Sequence, residues 1–171
     1  MESDQQYVEI FQLAVTEIKT ARIAIARQVN TAAMGVYWNL GKLLSERKIE
    51  KGHGAGVANR LSADLKSEFP DMGLSPRNLW DMKRFYEQYK DAPPKLRQSV
   101  AVLPWKHNLL ILSKTTNYDE ALFYAEKAIV LGWSRDILLN YLKADAYHAE
   151  KHLPKSHNFN ETLPEILAEQ A

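Results

Sequence analysis

Apolar residues recur at steps of three and four along almost the whole chain, the spacing that lines them up on one face of a helix. Ile10, Leu13, Ala14, Ile18, Ala21, Ile25 and Val29 form the first such stripe and predict a long amphipathic helix from about Tyr7 to Asn30. Val36, Tyr37, Leu40, Leu43 and Leu44 predict a second from about Thr31 to Ile49, where Gly35 and Gly41 would let another helix come close. In Lys51-Gly-His-Gly-Ala-Gly56 glycines fall at alternate positions, which favours a connecting loop. Val57, Leu61, Leu65 and Phe69 mark a third helix that must stop at Pro70.

A fourth helix, to about Tyr89, should start sharply. Ser75 suits the N-cap, Pro76 the first helical position, and Leu74 with Leu79 has the spacing of a hydrophobic staple. Asp91-Ala-Pro-Pro-Lys95 breaks the pattern, and Val100 to Leu103 is the one stretch read as a short extended piece. Helices resume from Pro104 to about Lys114 and from Tyr118 to about Leu131, the latter with Asn117 and Glu120 as a capping-box-like pair. After Gly132, a natural left-handed terminator, Ser134 opens a last helix to about His152. The expectation is an all-α, multi-helix domain over residues 1–153, followed by an acidic tail or linker over residues 154–171.

With 46% hydrophobic and 25% charged residues the chain has the means to build a core, which argues against wholesale disorder. No cysteine is present, so disulfides, thiolate metal sites and cysteine nucleophiles are excluded. A reducing compartment fits this, and the cytosol is the expected location. Glu9, Glu17 and Lys19 interrupt the first apolar stretch, so neither a signal peptide nor a membrane span is expected. The net charge of +1 is unevenly spread: from Met72 to Lys114 eight basic residues face three acidic ones, a local balance of +5 that leaves −4 elsewhere. Such a segment suits an anionic partner, although charges of this density more often form a solvated face.

The chemistry-bearing patterns are few. His148 and His152 are four apart, but His-Ala-Glu-Lys-His is not HExxH, and no GxSxG, P-loop or GxGxxG is present. No metal, cofactor or catalytic residue is expected. The third and fourth helices, joined by Pro70-Asp-Met-Gly-Leu-Ser75, read as a helix-turn-helix-like pair or as an ordinary helical hairpin. On a helical wheel Leu79, Met82, Phe85, Tyr86 and Tyr89 share one side and Arg77, Trp80, Asp81, Arg84 and Gln88 the other. If the pair binds duplex DNA, Arg77, Asn78, Trp80, Lys83, Arg84 and Lys106 are the expected contacts, with Lys51 and His53 near a phosphate. The competing reading is an interaction module that dimerises through the first helix.

Tyr37-Trp-Asn-Leu-Gly-Lys42, Leu61-Ser-Ala-Asp-Leu-Lys-Ser-Glu-Phe69, Leu74-Ser-Pro-Arg-Asn-Leu-Trp-Asp-Met-Lys-Arg-Phe-Tyr86, Leu103-Pro-Trp-Lys-His107 and Gly132-Trp-Ser-Arg135 follow one another in this order, with Asn158-Phe-Asn-Glu-Thr-Leu-Pro164 in the tail. In these blocks the chain resembles the YhcG-like proteins, predicted bacterial nucleases of the PDDEXK superfamily. The resemblance implies an N-terminal helical domain for DNA binding or assembly, placed before a C-terminal nuclease domain that these residues do not include. No catalytic residue carries over. Within the blocks Trp38, Phe85, Tyr86 and Trp133 also suit a core.

Overall fold

Helix α1 (Glu2–Glu46) runs without interruption for 45 residues, joining what the sequence divides at Asn30 into two helices. Neither Gly35 nor the Asn30-Thr31 step breaks it; Thr31 turns its hydroxyl back to the Arg27 carbonyl at 2.8 Å, a bond made inside the helix. The structure is a computed structural model that describes residues 2–152, apart from the side chains of Glu2, Lys51 and His53; the expected acidic tail lies outside the described residues. After α1 come α2 (Lys51–Glu68), α3 (Pro76–Tyr89), α4 (Pro94–Val102), α5 (Trp105–Lys114), α6 (Tyr118–Leu131), α7 (Arg135–Lys143) and α8 (Ala146–Lys151). The all-α expectation holds: among the described residues there are eight helices and no strand.

The caps show where local sequence decides the boundaries. Ser75 Oγ accepts the Asn78 amide at 3.2 Å, Asn117 Oδ1 the Glu120 amide at 2.9 Å and Ser134 Oγ the Ile137 amide at 3.3 Å, each as anticipated. Glu120 completes its half of the box one residue early, accepting from the Thr116 amide at 3.1 Å and the Thr116 hydroxyl at 3.0 Å. Gly132 (φ 63°) ends α6 in the left-handed region, and the Trp133 amide donates back to the Ala128 carbonyl at 3.1 Å.

Three further boundaries differ from the sequence reading. Lys51-Gly-His-Gly-Ala-Gly56 is the start of α2, not a loop. The turn lies before it: Lys48 (φ 55°) takes the left-handed position, and the Ile49 amide closes on the Leu44 carbonyl at 3.0 Å. Gly54 is buried under Ile49, a seat that a side chain would fill. The extended piece at 100–103 is instead the end of α4, with only Leu103 extended beyond it. Fully buried Asn108 terminates that helix by donating through Nδ2 to the Val100 carbonyl at 2.8 Å and the Leu103 carbonyl at 3.3 Å. The last predicted helix is two, broken where Asp145 (φ 53°) turns the chain so that Tyr147 enters the core and its amide donates to the Tyr124 hydroxyl at 3.1 Å.

Packing follows from one crossing. The second half of α1 lies on α3, its most extensive neighbour, and also on α4. A Cβ on Gly41 would overlap the Met82 backbone carbonyl, so the two helices meet at a contact that only glycine allows. Gly35, by contrast, faces open space. One core cluster joins Leu44, Leu74, Leu79 and Met82; a larger one runs from Phe85 and Tyr89 through Leu96, Ile111, Tyr124 and Leu138 to Tyr147. Trp105 packs against both, edge-on to Phe85 with ring centres 5.5 Å apart. Among the described residues no helix is long and apolar enough to cross a membrane.

Candidate functional site

The first half of α1 does the opposite of the second. Nearly every residue from Ser3 to Val29 is exposed, although the segment is rich in large apolar side chains. Tyr7, Ile10, Phe11, Leu13, Ile18 and Ile25 are each 55 to 70% exposed. At about 1.5 Å per residue this arm is roughly 40 Å long. Contact with the rest of the chain begins near its end, where Ile23 and Arg27 edge a shallow groove formed with Val102, Leu103 and Trp133. Asn30 Nδ2 donates there to the Val102 carbonyl at 3.3 Å. Single exposed apolar residues are ordinary; a continuous exposed band of this length is not.

The residues expected to contact DNA differ in exposure and in the partners they hold. Arg77 is exposed in the first turn of α3. Asn78 is half-buried and spends its side-chain amide on the Gly73 carbonyl at 3.1 Å, holding the turn between α2 and α3. Buried Ser62 pins the same turn from α2, its hydroxyl donating to the Leu74 carbonyl at 2.6 Å. Trp80 is half-buried. Lys83 must be withdrawn from the contact face: it is buried, with its ammonium 3.0 Å from Glu50 and 3.5 Å from Glu87. Its positive charge is tolerated because two carboxylates from different elements meet it there. Arg84 is exposed overall, but its guanidinium donates to the Leu112 carbonyl at 3.2 Å and ties α3 to α5. Lys106 is exposed in the first turn of α5. Lys51 and His53 fall in the first turn of α2 rather than in a phosphate-binding loop, and their side chains lie outside the description.

Two further places concentrate chemistry. A cleft of about 460 Å³ between α1 and α4 is walled by Met34, Trp38, Phe85, Val100 and Arg97, whose guanidinium stands 5.2 Å from the centre of the Trp38 ring. It is mainly apolar, and no acid–base pair converges on it. Elsewhere Glu120, Asp145 and His148 bring ligand-type atoms within 4.8 Å of one another. Glu120 is already engaged by Thr116, and His148 Nδ1 lies 2.7 Å from Asp145. His148 therefore turns to Asp145, on the turn before its own helix, rather than to His152.

The tyrosines carry the clearest electrostatic signature. Burial pushes the phenols of Tyr89, Tyr124 and Tyr141 above the ordinary value of 10.0, because desolvation disfavours the ionised form. For Tyr124 the amide of Tyr147 partly offsets this by donating to its oxygen.

No curated protein and no solved structure matches the chain. The family model of the DUF1016 N-terminal domain matches residues 14–149, from the middle of the exposed arm to the last helix, and the chain belongs to that family, the N-terminal domain of the YhcG-like proteins.

Proposed function

We propose that this chain is a non-catalytic assembly domain that associates with a second copy of itself through the exposed arm of α1. The observation that carries this reading is the apolar band from Tyr7 to Ile25, which stays exposed while the same helix buries its other half against α3. In proteins most of a helix's stability comes from packing its apolar face rather than from intrinsic propensity. A second arm supplies such a face without any new element. Sedimentation of the chain and of Phe11→Glu combined with Ile18→Glu tests it: the unaltered chain sediments as a dimer and the variant as a folded monomer. An unaltered chain that is monomeric at about 50 µM, a concentration at which micromolar affinity saturates, would contradict it.

A role in holding duplex DNA is a second reading, favoured by Arg77 and Lys106, each exposed in the first turn of its helix. Lys83 no longer contributes, and Asn78 is occupied. Arg77→Ala with Lys106→Ala should lower duplex affinity at least tenfold and flatten its dependence on salt, measured by anisotropy at two salt concentrations. The resemblance to YhcG-like proteins suggests what a dimer would serve: it would bring together two copies of a nuclease domain of the PDDEXK type.

A further inference from the structure

We infer that the two arms pair antiparallel, in the overlap centred on Thr16; this rests on the self-association proposed above. Within the exposed arm Tyr7, Phe11, Ala14, Ile18, Ala21 and Ile25 recur at alternating steps of four and three, the seam of a two-helix coil. Ile23, Arg27 and Asn30, which face the rest of the chain, lie on the opposite side of the helix at about 100° per residue, so the seam points away from the body. Beyond Ile25 the seam positions become Gln28, Ala32, Gly35 and Asn39, so the apolar run ends where α1 joins the body.

Side-chain size and charge both choose the direction. In a parallel pair each residue meets its own copy: Phe11 on Phe11, then Ala14 on Ala14, Ile18 on Ile18 and Ala21 on Ala21. Bulky layers would alternate with hollow ones, and voids of that kind are destabilising. Antiparallel overlap about Thr16 sets Phe11 against Ala21 and Ala14 against Ile18, with Tyr7 against Ile25 at each end. Every large residue in the middle layers then faces an alanine. The arm is also divided electrically: residues 3–17 hold Asp4, Glu9 and Glu17 and no base, whereas residues 18–29 hold Lys19, Arg22 and Arg27 and no acid. Reversing one copy lays acidic half on basic half, and a parallel pair lays like on like. One local term runs the other way. Glu17 would approach Arg22 of the second copy in a parallel pair, but approaches Glu17 of the second copy here. Exposed pairs of this sort contribute a few tenths of a kcal/mol, which the packing of four layers outweighs. The arrangement places the two bodies at opposite ends of a shared rod, with one Gly41 about 75 Å along the axis from the other.

The chain has no cysteine, so single spin labels can be introduced cleanly and read by pulsed dipolar spectroscopy on the full chain. Gln6→Cys should give a label separation of about 30 to 35 Å in the dimer, set by twenty residues of helical rise. Val15→Cys, beside the seam and one residue from the centre of the overlap, should give less than about 20 Å. A short distance at both positions means a parallel dimer and overturns the antiparallel pairing while self-association stands. A long distance at Val15, or a monomer, overturns both. Glu17→Gln supplies an independent reading, because it relieves the central repulsion: the dimer should become tighter, and a several-fold weakening would be the parallel result and count against the proposal.

Discussion

The two halves of α1 belong to one helix and have opposite fates. From Met34 onward Met34 and Leu44 are buried and Tyr37, Trp38 and Leu40 pack against the core, leaving Val36 and Leu43 exposed, whereas from Tyr7 to Val29 the large apolar side chains remain in water. Helical periodicity is the same in both halves. What separates them is Gly41, which lets α3 approach to backbone contact, and the aromatic group of Trp38, Phe85, Tyr86 and Trp105 that closes around that approach. The lesson is that an apolar stripe says a helix needs a partner without saying whether the partner lies in the same chain.

The contrast can be broken most severely at Gly41. Gly41→Val drives a branched side chain into the Met82 carbonyl, and at least about 3 kcal/mol of unfolding free energy should be lost, more than ordinary overpacking costs because backbone cannot yield. Denaturant titration measures it; a loss below about 1 kcal/mol would mean that the crossing is looser than described. Asn108→Ala comes next. It strips the Val100 and Leu103 carbonyls of their buried donor and should cost about 2 kcal/mol by the same titration.

Alkaline pH should weaken the body without a substitution. The phenols of Tyr89 and Tyr124 titrate higher in the folded chain than the 10.0 of an unfolded one, so between those values the unfolded state has released protons that the folded state still holds. Stability is therefore fully present below the unfolded pKa and falls as pH rises through it toward the folded values. The denaturant midpoint should be lower at about pH 11 than at about pH 9, and Tyr89→Phe should reduce that drop. The smallest effect on stability is expected in the arm. Phe11→Glu with Ile18→Glu should leave the body's unfolding midpoint, read at low concentration, within the about 0.5 kcal/mol typical of surface changes, even as it abolishes association.

Much of the fold is legible in the sequence because caps are local. Ser75, Asn117 and Ser134 announce their helices, and Gly132 announces an end. The errors arise where tertiary contacts override local preference. Three glycines read as a loop become the first turns of α2 because the turn is made at Lys48, a residue with no intrinsic taste for φ 55°. Val100 to Leu103 read as extended because the residue that ends α4, Asn108, lies five to eight positions away and inside the next helix. The buried face of α3 was readable from its spacing, but the fate of Lys83 was not, since its partner Glu50 comes from the start of α2. The arm's apolar stripe was plain; its exposure was not, because a stripe looks the same whether its cover is α3 or a second molecule.

The central claim is that the arm's cover is a second copy, and the solution mass tests it most directly. Light scattering on the eluting chain, loaded from about 1 to about 50 µM to span micromolar affinity, should approach twice the 19.6 kDa of one chain as concentration rises. A mass that stays at 19.6 kDa across the whole range would contradict the account.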